Sequence, residues 1–518
     1  MYPGAFAGST PDKPAIIMAD TGATLSYAQL EDRSARLARA LHDYGLRPGD
    51  TVAVLTPNSP LYYEVYWAAM LSGLYMTPIN NHLSPDEMAY IVNDSDARVL
   101  IVASVFEKAG LRLTELTPAV EVRIASGGGI EGHLDYEGVL SGSSPEPLAE
   151  QPRGREMVYS SGTTGQPKGV KGPLPPYQVH EGSDPLLPVF GPLFGWDADT
   201  VYLNPAPLYH GAPLRFGGMV HSVGGTVVIM RKFDALAALE AIEKHRITHS
   251  QWVPTMFVRM LKLPKEDRER FDLSSHRVAV HAAAPCPVEV KQAMIDWWGP
   301  ILFEYYAATE AVGITFIDSE TWLTKPGSVG KAALGILHIS DEEGNELPTG
   351  EPGLVYFERE VLPFSYHNDA EKTKKAQHPL HENWGTTGDI GYLDDDGYLF
   401  LTDRQAFMII SGGVNIYPQE VENALALHPA VFDIAVIGIP DDEMGEQVKG
   451  IVQPASGVAP GPELERELLD FLRERIAHYK VPRSIDFVEL LPRNAMGKLQ
   501  KHNIRADYLS AQAQKLSS

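Results

Sequence analysis

The sequence predicts an α/β protein with a large part of helix-covered sheets and a small, separate α+β part. Short apolar strands alternate repeatedly with amphipathic helices, which is typical of parallel sheets covered by helices. The character changes after Asp403, where the strand IAVIGIP, the helix PELERELLDFLRERIAHY and the strand IDFVEL follow one another. The length of 518 residues also exceeds what one compact core accommodates.

The first helix is predicted from its start signal. Ser26 and Gln29 have the spacing of a capping box, in which each side chain bonds the other residue's backbone N–H. Leu30, Leu37 and Leu41 then follow as an apolar stripe at helical spacing. The pattern predicts a helix that packs one face on a sheet.

Strands and helices alternate beyond this helix. The segment TVAVL at 51–55 is predicted to be a buried strand, Pro60 opens a second helix that Gly73 ends, and LYMTPIN is the next strand. The same rhythm recurs at VLIVAS, TVVIM and LFEYY. We expect a loop at 141–155 and a second irregular region at 172–196, whose six prolines predict a surface segment near a site.

The charge balance excludes some classes of function. With 43 basic and 67 acidic residues, the net charge is −24. General binding of nucleic acid or of anionic membranes needs a basic surface, so neither is expected. An anionic ligand in a locally basic site remains compatible with this charge.

Cysteine content and hydropathy predict a cytoplasmic protein. The single cysteine, Cys286, cannot form an internal disulfide, and no neighbouring base in the sequence favours a nucleophile, so we expect a structural role. The N-terminal segment lacks the basic and apolar regions of a signal peptide. The apolar runs are far shorter than a membrane span, so no integral membrane segment is expected.

The stretch YSSGTTGQPKGV, from Tyr159 to Val170, has the composition of a phosphate-binding loop. Glycines let backbone N–H groups converge on an anion, and hydroxyl side chains add donors without bulk. It is not a Walker A loop, because no Ser or Thr follows Lys168. The alternative interpretation is a flexible linker, which does not need this fixed order of residues.

The order Ser-Gly-Thr-Thr-Gly-x-Pro-Lys-Gly resembles the phosphate loop of the adenylate-forming superfamily of acyl- and aryl-CoA ligases, luciferase-like enzymes and adenylation domains. Four further motifs of that superfamily follow in the same order, and the resemblance extends over nearly the whole chain. It implies that Thr164 contributes to catalysis and to magnesium binding. The loop residues that it implies for ATP are Ser160, Ser161, Gly162, Thr163, Thr164, Gly165 and Lys168.

The stretch EYYAATEAVG, from Glu304 to Gly313, resembles the aromatic-Gly-x-Thr-Glu motif of the superfamily. A nucleotide needs an aromatic face, and a metal beside its phosphates needs a carboxylate. The resemblance implies that Tyr306 stacks on adenine, Thr309 contacts the α-phosphate and Glu310 holds Mg²⁺. Ala307 departs from the usual glycine and adds a methyl group beside the acid pocket or the nucleotide.

The stretch TTGDIGYLDDDGYLFLTDR, from Thr386 to Arg404, resembles a paired motif that binds the ribose. By that resemblance Asp389 accepts hydrogen bonds from both ribose hydroxyls, which suits two carboxylate oxygens, and Arg404 supplies a positive charge. The acidic run at 394–396 lacks the spacing of a calcium loop, so a hairpin turn is predicted there. Ala406 replaces the polar hinge residue that most members carry.

Two C-terminal motifs complete the resemblance. SGGVNIYPQEVE resembles the Gly-rich loop that lines the thiol tunnel, which implies that Gly412 and Gly413 let pantetheine pass close to the backbone. PRNAMGKLQK resembles the motif of the catalytic lysine and places it at Lys498. Residues 473–505 carry eight basic and three acidic residues, a basic island that favours coenzyme A as the acceptor.

The resemblance also implies an acid pocket. The sequence NPAPLYHGAP offers no carboxylate for the ammonium group of an amino acid, and His210 occupies the gating position, with a packed histidine as the alternative interpretation. The other predicted pocket residues are aromatic or small and apolar, which suits an aryl ring or an alkyl chain. They are Tyr209, Phe216, Trp252, Ala283, Ala307 and Val312.

The resemblance implies an AMP-forming acid–CoA ligase with residues 1–403 as the AMP- and acid-binding domain and 404–518 as a mobile domain carrying the catalytic lysine. ATP, Mg²⁺ and coenzyme A are the implied cofactors and cosubstrates. The acid is a hydroxycinnamate-type aromatic acid or a medium- to long-chain fatty acid. Two alternatives stay open, an acyl-AMP ligase that delivers to a carrier protein or amine, and a nucleotide-binding paralogue without activity. A homodimer is compatible with the sequence.

Overall fold

The computed structural model describes residues 2–160, 167–404, 407–412, 414–441, 444–493 and 499–516. The helices are α1 Gly4–Ala7, α2 Tyr27–Asp43, α3 Leu61–Met70, α4 Pro85–Asp94, α5 Glu107–Leu116, α6 Tyr136–Ser141, α7 Leu187–Phe194, α8 Gly211–Ser222, α9 Ala235–Lys244, α10 Pro254–Leu261, α11 Lys265–Glu269, α12 Val288–Trp298, α13 Ser319–Thr324, α14 Ala370–Lys375, α15 Pro418–Leu425, α16 Pro462–Arg473 and α17 Lys501–Leu516.

The strands of the N-terminal half are β1 Pro14–Met18, β2 Thr24–Ser26, β3 Thr51–Leu55, β4 Tyr75–Pro78, β5 Ala97–Ala103, β6 Val122–Ser126, β7 Leu134–Asp135, β8 Arg155–Glu156, β9 Val158–Ser160, β10 Lys168–Lys171, β11 Val201–Asn204, β12 Thr226–Ile229, β13 His249–Trp252 and β14 Val278–His281. Those of the C-terminal half are β15 Leu302–Ala307, β16 Ile314–Asp318, β17 Ser328–Leu334, β18 Ile336–Ser340, β19 Gly353–Glu358, β20 Ser365–Tyr366, β21 Trp384–Gly385, β22 Asp389–Leu393, β23 Leu399–Arg404, β24 Ile409–Ser411, β25 Val414–Ile416, β26 Val431–Asp441, β27 Gly445–Pro454 and β28 Ser484–Phe487.

A six-stranded sheet in the order β7-β6-β5-β3-β4-β8 is parallel throughout. Its central strand β3 shows why TVAVL is apolar at every position. Val52 and Val54 pack into one core cluster, whereas Ala53 and Leu55 pack into another on the opposite face. Helices cover both faces of a parallel sheet, so neither face of such a strand meets water.

A fourteen-stranded sheet forms the centre of the molecule, in the order β18-β19-β22-β23-β17-β16-β15-β14-β13-β11-β12-β1-β2, with β21 beside β19. The strands from β12 through β11, β13 and β14 to β15 are parallel, and those from β15 to β19 are antiparallel. The carboxyl ends of β11, β14 and β15 therefore lie at one edge. Ligands of α/β sheets bind at that edge.

A separate five-stranded sheet follows β23. It has the order β25-β24-β27-β26 with β28 beside β27, and it forms its own core with α15 and α16. Strand β23 ends at Arg404 and the first strand of this sheet begins at Ile409. The predicted fold class, a large helix-covered α/β part and a small α+β part, is confirmed. The mobility of the small part stays a prediction.

The local predictions are confirmed with two exceptions, one of which is the helix predicted over 462–479, which ends at Arg473. Ser26 caps α2 through the reciprocal bonds with Gln29. The acidic run at 394–396 lies in the turn between β22 and β23. The irregular region predicted at 172–196 contains helix α7, which tolerates Pro188 in its first turn and also contains Pro192. Among the described residues, no helix combines the length and apolarity that a membrane crossing requires.

Candidate functional site

Several of the predicted ligand-binding residues line one cavity of about 850 Å³. The segments after β14 and β15 form part of its wall, α7 and α8 form another part, and α15 of the small sheet unit faces it. The sequence explains this position, because parallel strands end at one edge and the peptide segments after them carry the polar residues. The cavity therefore lies where the fold class places a ligand.

Tyr306 and Asp389 are joined on the wall of this cavity. The Tyr306 hydroxyl donates a 2.6 Å hydrogen bond to Asp389 Oδ2, which also accepts a 2.6 Å bond from Thr387 Oγ1. Asp389 is only 8% exposed. Its carboxylate is thus fixed by two hydroxyl donors before any ligand arrives, and it faces the same cavity as the Tyr306 ring.

Glu310 and Lys168 also line the cavity. Tyr366 donates a 2.8 Å hydrogen bond from its hydroxyl to Glu310 Oε1. Burial lowers the pKa of the Lys168 ammonium, while Asp369 and Glu310 act in the opposite direction. A cation on β10 and a carboxylate after β15 thus come within electrostatic reach of each other, although 142 positions separate them in the sequence.

Three small residues and Thr309 shape the segments between these charged groups. Ala283, Ala307 and Ala311 line the cavity together with Thr309. Ala283 has φ 74° and Ala311 has φ 54°. Non-glycine residues rarely occupy this left-handed region, and such strain concentrates at ligand-binding segments.

Phe190, Phe216 and Tyr305 form an aromatic wall of the cavity. Phe216 stacks on Tyr305 with ring centroids 5.6 Å apart, and Phe190 lies 5.0 Å from Phe216 and 5.2 Å from Tyr305. The Tyr305 hydroxyl accepts a 2.8 Å hydrogen bond from Gln251 Nε2, which fixes its ring. The prediction that Phe216 lies at the pocket agrees with this position.

His210 lines the cavity at the start of α8. Its Nε2 is buried and has no hydrogen-bond partner among the described residues. Burial lowers the pKa of the imidazole to about 3. A neutral imidazole with an unused ring nitrogen can donate to or accept from a ligand, depending on its tautomer.

Three predicted pocket residues lie elsewhere. Trp252 is 1% exposed and packs against Phe257 and Trp298, where its Nε1 donates to Ser250 Oγ. Its place in the acid pocket was therefore wrongly predicted, because β13 turns this side chain into the core behind the sheet. Val312 packs in another core cluster, and Tyr209 packs its ring against His210, so neither is among the residues of the cavity wall.

The sequence analysis missed a charged wall of the cavity. Arg215 Nε lies 2.7 Å from Asp184 Oδ2, and Arg215 Nη1 lies 3.3 Å from Glu156 Oε1. Arg155, the neighbour of Glu156, also lines the cavity. A signal was present, since arginine is rare within apolar helices such as GAPLRFGGMV unless it is paired.

A second buried ion pair was also missed. Lys291 Nζ donates a 2.6 Å hydrogen bond to Glu304 Oε2, and both side chains are at most 7% exposed. Glu304 and Cys286 line the cavity. Burial raises the pKa of the Cys286 thiol, so it stays protonated, which agrees with the structural role expected for it.

Several predicted site residues lie outside the described part of the chain. Ser160 is the last residue of β9 and Arg404 is the last residue of β23. Gly412 has φ 58°, and its N–H donates 2.8 Å to the Met444 carbonyl. The predicted residues outside the described ranges are Ser161, Gly162, Thr163, Thr164, Gly165, Ala406, Gly413 and Lys498.

The basic island at 473–505 is neutralised by acidic partners. Each of its seven basic residues that the structure describes has a carboxylate within ion-pair distance, so the island offers no unpaired cation in the described ranges. The expectation of coenzyme A as the acceptor therefore does not rest on unpaired cations of the island in these ranges. The pairs are Arg473–Asp470, Arg475–Glu474, Lys480–Glu420, Arg483–Asp441, Arg493–Asp433, Lys501–Glu422 and Arg505–Glu446.

The donor set of the cavity fits a magnesium ion that arrives with phosphates. Mg²⁺ prefers oxygen ligands and keeps several waters, so one or two protein carboxylates suffice. The buried carboxylate of Glu310 faces the cavity and supplies such a ligand. Within the described ranges, no cluster of three or more His, Cys, Asp or Glu side chains forms a complete metal site.

Comparisons with known proteins agree with this architecture. A sequence profile of AMP-binding enzymes matches residues 5–362, and one of the AMP-binding enzyme C-terminal domain matches residues 420–498. Feruloyl-CoA synthase of an Amycolatopsis species is 34% identical over 497 residues, which cover 93% of this chain and 94% of that protein. A 3-[(3aS,4S,7aS)-7a-methyl-1,5-dioxo-octahydro-1H-inden-4-yl]propanoyl:CoA ligase of Rhodococcus jostii strain RHA1 is 33% identical over 512 residues, 95% of each chain.

A solved structure shows the same fold over the whole chain. The anthranilate CoA ligase AuaEII in complex with anthranoyl-AMP superposes with a TM-score of 0.85 and 28% identity, covering 99% of this chain and 98% of that one. The similarity thus includes both the large α/β part and the small sheet unit.

Proposed function

The chain belongs to the AMP-binding enzymes and is an acid–CoA ligase, and we propose that it activates a compact carboxylic acid as an acyl-adenylate before thioester formation. One observation carries this proposal. Tyr306, Asp389 and Glu310, which resemble the residues of a nucleotide site, line the same cavity as His210 and the aromatic wall. An enzyme that joins ATP to an acid needs both groups in one enclosed space.

The proposed reaction has two steps. A carboxylate is a poor electrophile, because its negative charge repels nucleophiles and it lacks a good leaving group. Attack of the carboxylate oxygen on the α-phosphorus of ATP forms acyl-AMP and releases pyrophosphate. The thiol of coenzyme A then attacks the acyl carbon, and AMP leaves as the thioester forms.

The protein's main task in the first step is to bring two anions together. Electrostatic preorganisation and positioning dominate such reactions. We assign ribose binding to Asp389, adenine stacking to Tyr306 and contact with the α-phosphate to Thr309. Lys168 is assigned to the departing pyrophosphate. All four of these side chains line the cavity.

Residues whose side chains the structure does not describe complete the assignment. We assign the bridge between the acid carboxylate and the α-phosphate to Lys498, and the remaining phosphate contacts to Ser160, Thr163 and Thr164. Arg404 is assigned to the ribose and phosphate. A bound Mg²⁺ would supply charge neutralisation at the phosphates, and Glu310 with Thr164 would hold it.

The wall of the cavity favours a compact acid. Phe190, Phe216 and Tyr305 pack on one another, and Gln251 holds the Tyr305 ring in place. A rigid aromatic wall fits a flat or cyclic body better than a long flexible chain. We therefore favour an aryl or cyclic acid over a long-chain fatty acid.

Release of AMP tests the proposal directly. Purified protein is incubated with MgATP, coenzyme A and one acid at a time from a panel of cinnamic, benzoic, cyclic and straight-chain acids. We expect AMP release that requires both the acid and coenzyme A, with aryl or cyclic acids preferred to long chains. Adenylation without thioester formation would indicate another acceptor, a carrier protein or an amine, and no AMP release with any acid would contradict the proposed reaction.

A further inference from the structure

We infer that the charged wall of the cavity binds an oxygen acceptor, a carbonyl or a second carboxylate, at the end of the acid remote from its reacting carboxylate. The inference rests on the proposed function, because it concerns the acid that this cavity activates. The charged wall is the group of Arg155, Glu156 and Arg215, which line the cavity, together with Asp184, which is paired with Arg215.

The two arginines of the charged wall differ in their partners. Arg215 is paired with both carboxylates, Glu156 and Asp184. Arg155 donates to the Pro173 carbonyl at 3.0 Å and has no carboxylate partner among the described residues. An arginine without a carboxylate partner at a cavity wall is a site for an acceptor oxygen, since its planar fork presents several N–H donors.

The side chains of the charged wall are held in place by their protein neighbours. The Arg155 guanidinium lies over Gly172 so closely that a Cβ at that position would stand 2.2 Å from its Cζ. Asp184 accepts a 2.8 Å bond from the Leu186 N–H in addition to the pair with Arg215. The donors are therefore held by packing and by the ion pairs, which favours binding without reordering.

Several residues separate the charged wall from Ser160 and from His210 along the chain. Glu156 precedes Ser160 by four residues on an almost continuous pair of strands, which corresponds to roughly 13 Å of extended chain. Arg215 follows His210 by five residues along α8, a rise of about 7.5 Å. With the reacting carboxylate beside His210, the far end of a compact acid reaches the charged wall.

The wall lines the same cavity as the apolar residues. Gly211, Ala212, Arg215 and Phe216 follow one stripe of α8, and all four line the cavity. An acid with an apolar ring and one remote oxygen would place the ring on Phe216 and the oxygen at the arginines. A purely apolar acid would leave these donors facing hydrocarbon, which is costly.

Arg155 is the suitable position for a test. Replacing Arg215 would leave Glu156 and Asp184 buried without their partner, and such variants often fail to fold. Arg155→Gln removes the charge without leaving a buried carboxylate unpaired. Arg155→Lys keeps the charge but loses the planar fork. Arg231→Gln is the matched control, since Arg231 is half-exposed and pairs with Asp20 on the surface.

The experiment uses three acids with the same cyclohexanepropanoate skeleton: the unsubstituted acid, the acid with a ketone on the ring and the acid with a carboxyl group on the ring. The kcat and KM values are measured from AMP release with the wild-type chain and the three variants. We expect the wild type to prefer at least one oxygen-bearing acid by about tenfold or more. Arg155→Gln should raise KM for that acid by about 10- to 100-fold, the range for a lost charge-assisted bond, with little change in kcat.

The remaining outcomes decide between the two proposals. Cyclohexanepropanoate should change less than about threefold in Arg155→Gln, and Arg155→Lys should recover part of the preference for the ring carboxylic acid. Equal kcat/KM for all three acids in the wild type, or an equal loss for all three in Arg155→Gln, would overturn the inference while leaving the ligase reaction intact. If no acid releases AMP, the proposed reaction fails, and calorimetric binding of the same acids then decides whether Arg155 recognises the remote oxygen.

Discussion

The Tyr306 hydroxyl donates a 2.6 Å hydrogen bond to Asp389 Oδ2 although three strands separate their strands in the sheet. Tyr306 lies in β15 and Asp389 begins β22, with β16, β17 and β23 between them. Strands β15 and β22 are thus four inter-strand spacings apart, which in a flat sheet would be about 19 Å. The sheet must therefore curl strongly, and the cavity lies inside the curl.

The bond between these two residues predicts the first variant. Tyr306→Phe keeps the ring and removes the hydroxyl, so Asp389 loses one of the two donors that fix it. A bond to a charged group contributes about 1.5–3 kcal/mol, so we expect KM for ATP to rise by about 10-fold or more, with a smaller change in kcat. Initial rates of pyrophosphate release at varied ATP measure both.

Tyr479→Phe is the matched control, because Tyr479 is 57% exposed. It should leave KM for ATP unchanged. If Tyr306→Phe also leaves KM for ATP unchanged, the fixed Asp389 carboxylate has no role in nucleotide binding.

The assignment of Lys498 predicts a selective loss of the first step. Lys498→Ala removes the charge that would bridge the acid carboxylate and the α-phosphate. A comparable preorganised donor contributes about 2.7–4 kcal/mol, so adenylation should slow by at least about 100-fold. The thioester step, started from acyl-AMP made separately, should be less affected. Unchanged pyrophosphate release would refute the assignment, and Lys265→Ala, at a position 74% exposed, provides the control.

The buried imidazole of His210 predicts the shape of a pH profile. Burial lowers its pKa to about 3, so His210 is neutral throughout the range from about pH 5 to pH 8. His210→Asn should therefore raise KM for the acid by a similar factor at every pH in that range. The profiles of kcat/KM for the variant and for the wild type should run parallel.

A variant that abolished a wild-type inflection between about pH 5 and pH 8 would show instead that His210 titrates in this range. His42→Asn tests the same replacement at a position that is 44% exposed. It should change neither KM nor the profile.

Glu31 predicts a pH dependence of stability. Burial raises the pKa of its carboxyl from 4.5 to about 7, and one of its oxygens, Oε2, has no hydrogen-bond partner among the described residues. The folded chain thus holds a proton that the unfolded chain releases. The bound proton therefore adds to the free energy of unfolding. This stabilisation is fully present below about pH 4.5 and is lost as the pH rises through 7, and it amounts to at most about 3 kcal/mol.

Glu31→Gln keeps the side chain neutral at every pH, so its Tm should fall less than that of the wild type between about pH 5 and pH 8. Scanning calorimetry across this range measures the difference. The matched variant Glu371→Gln, at a position 80% exposed, should follow the wild type. Parallel curves for Glu31→Gln and the wild type would contradict the raised pKa.

The sequence by itself determined the elements and the reaction class. The capping box of Ser26 and Gln29 begins α2, and TVAVL forms β3, because capping and apolar patterning act within a few residues. The motifs around Glu310 and Asp389 pointed to adenylate formation because each is a short contiguous stretch with a fixed order.

Only the tertiary structure decided which side chains share the cavity. Trp252 and Phe216 are both aromatic and buried, yet Trp252 packs behind the sheet and Phe216 belongs to the aromatic wall of the cavity. The direction of a side chain depends on sheet register and curl, which no local pattern encodes. Likewise Arg155 and Arg215 lie 60 positions apart in the sequence, and only the fold joins them into the charged wall that favours a remote oxygen on the acid.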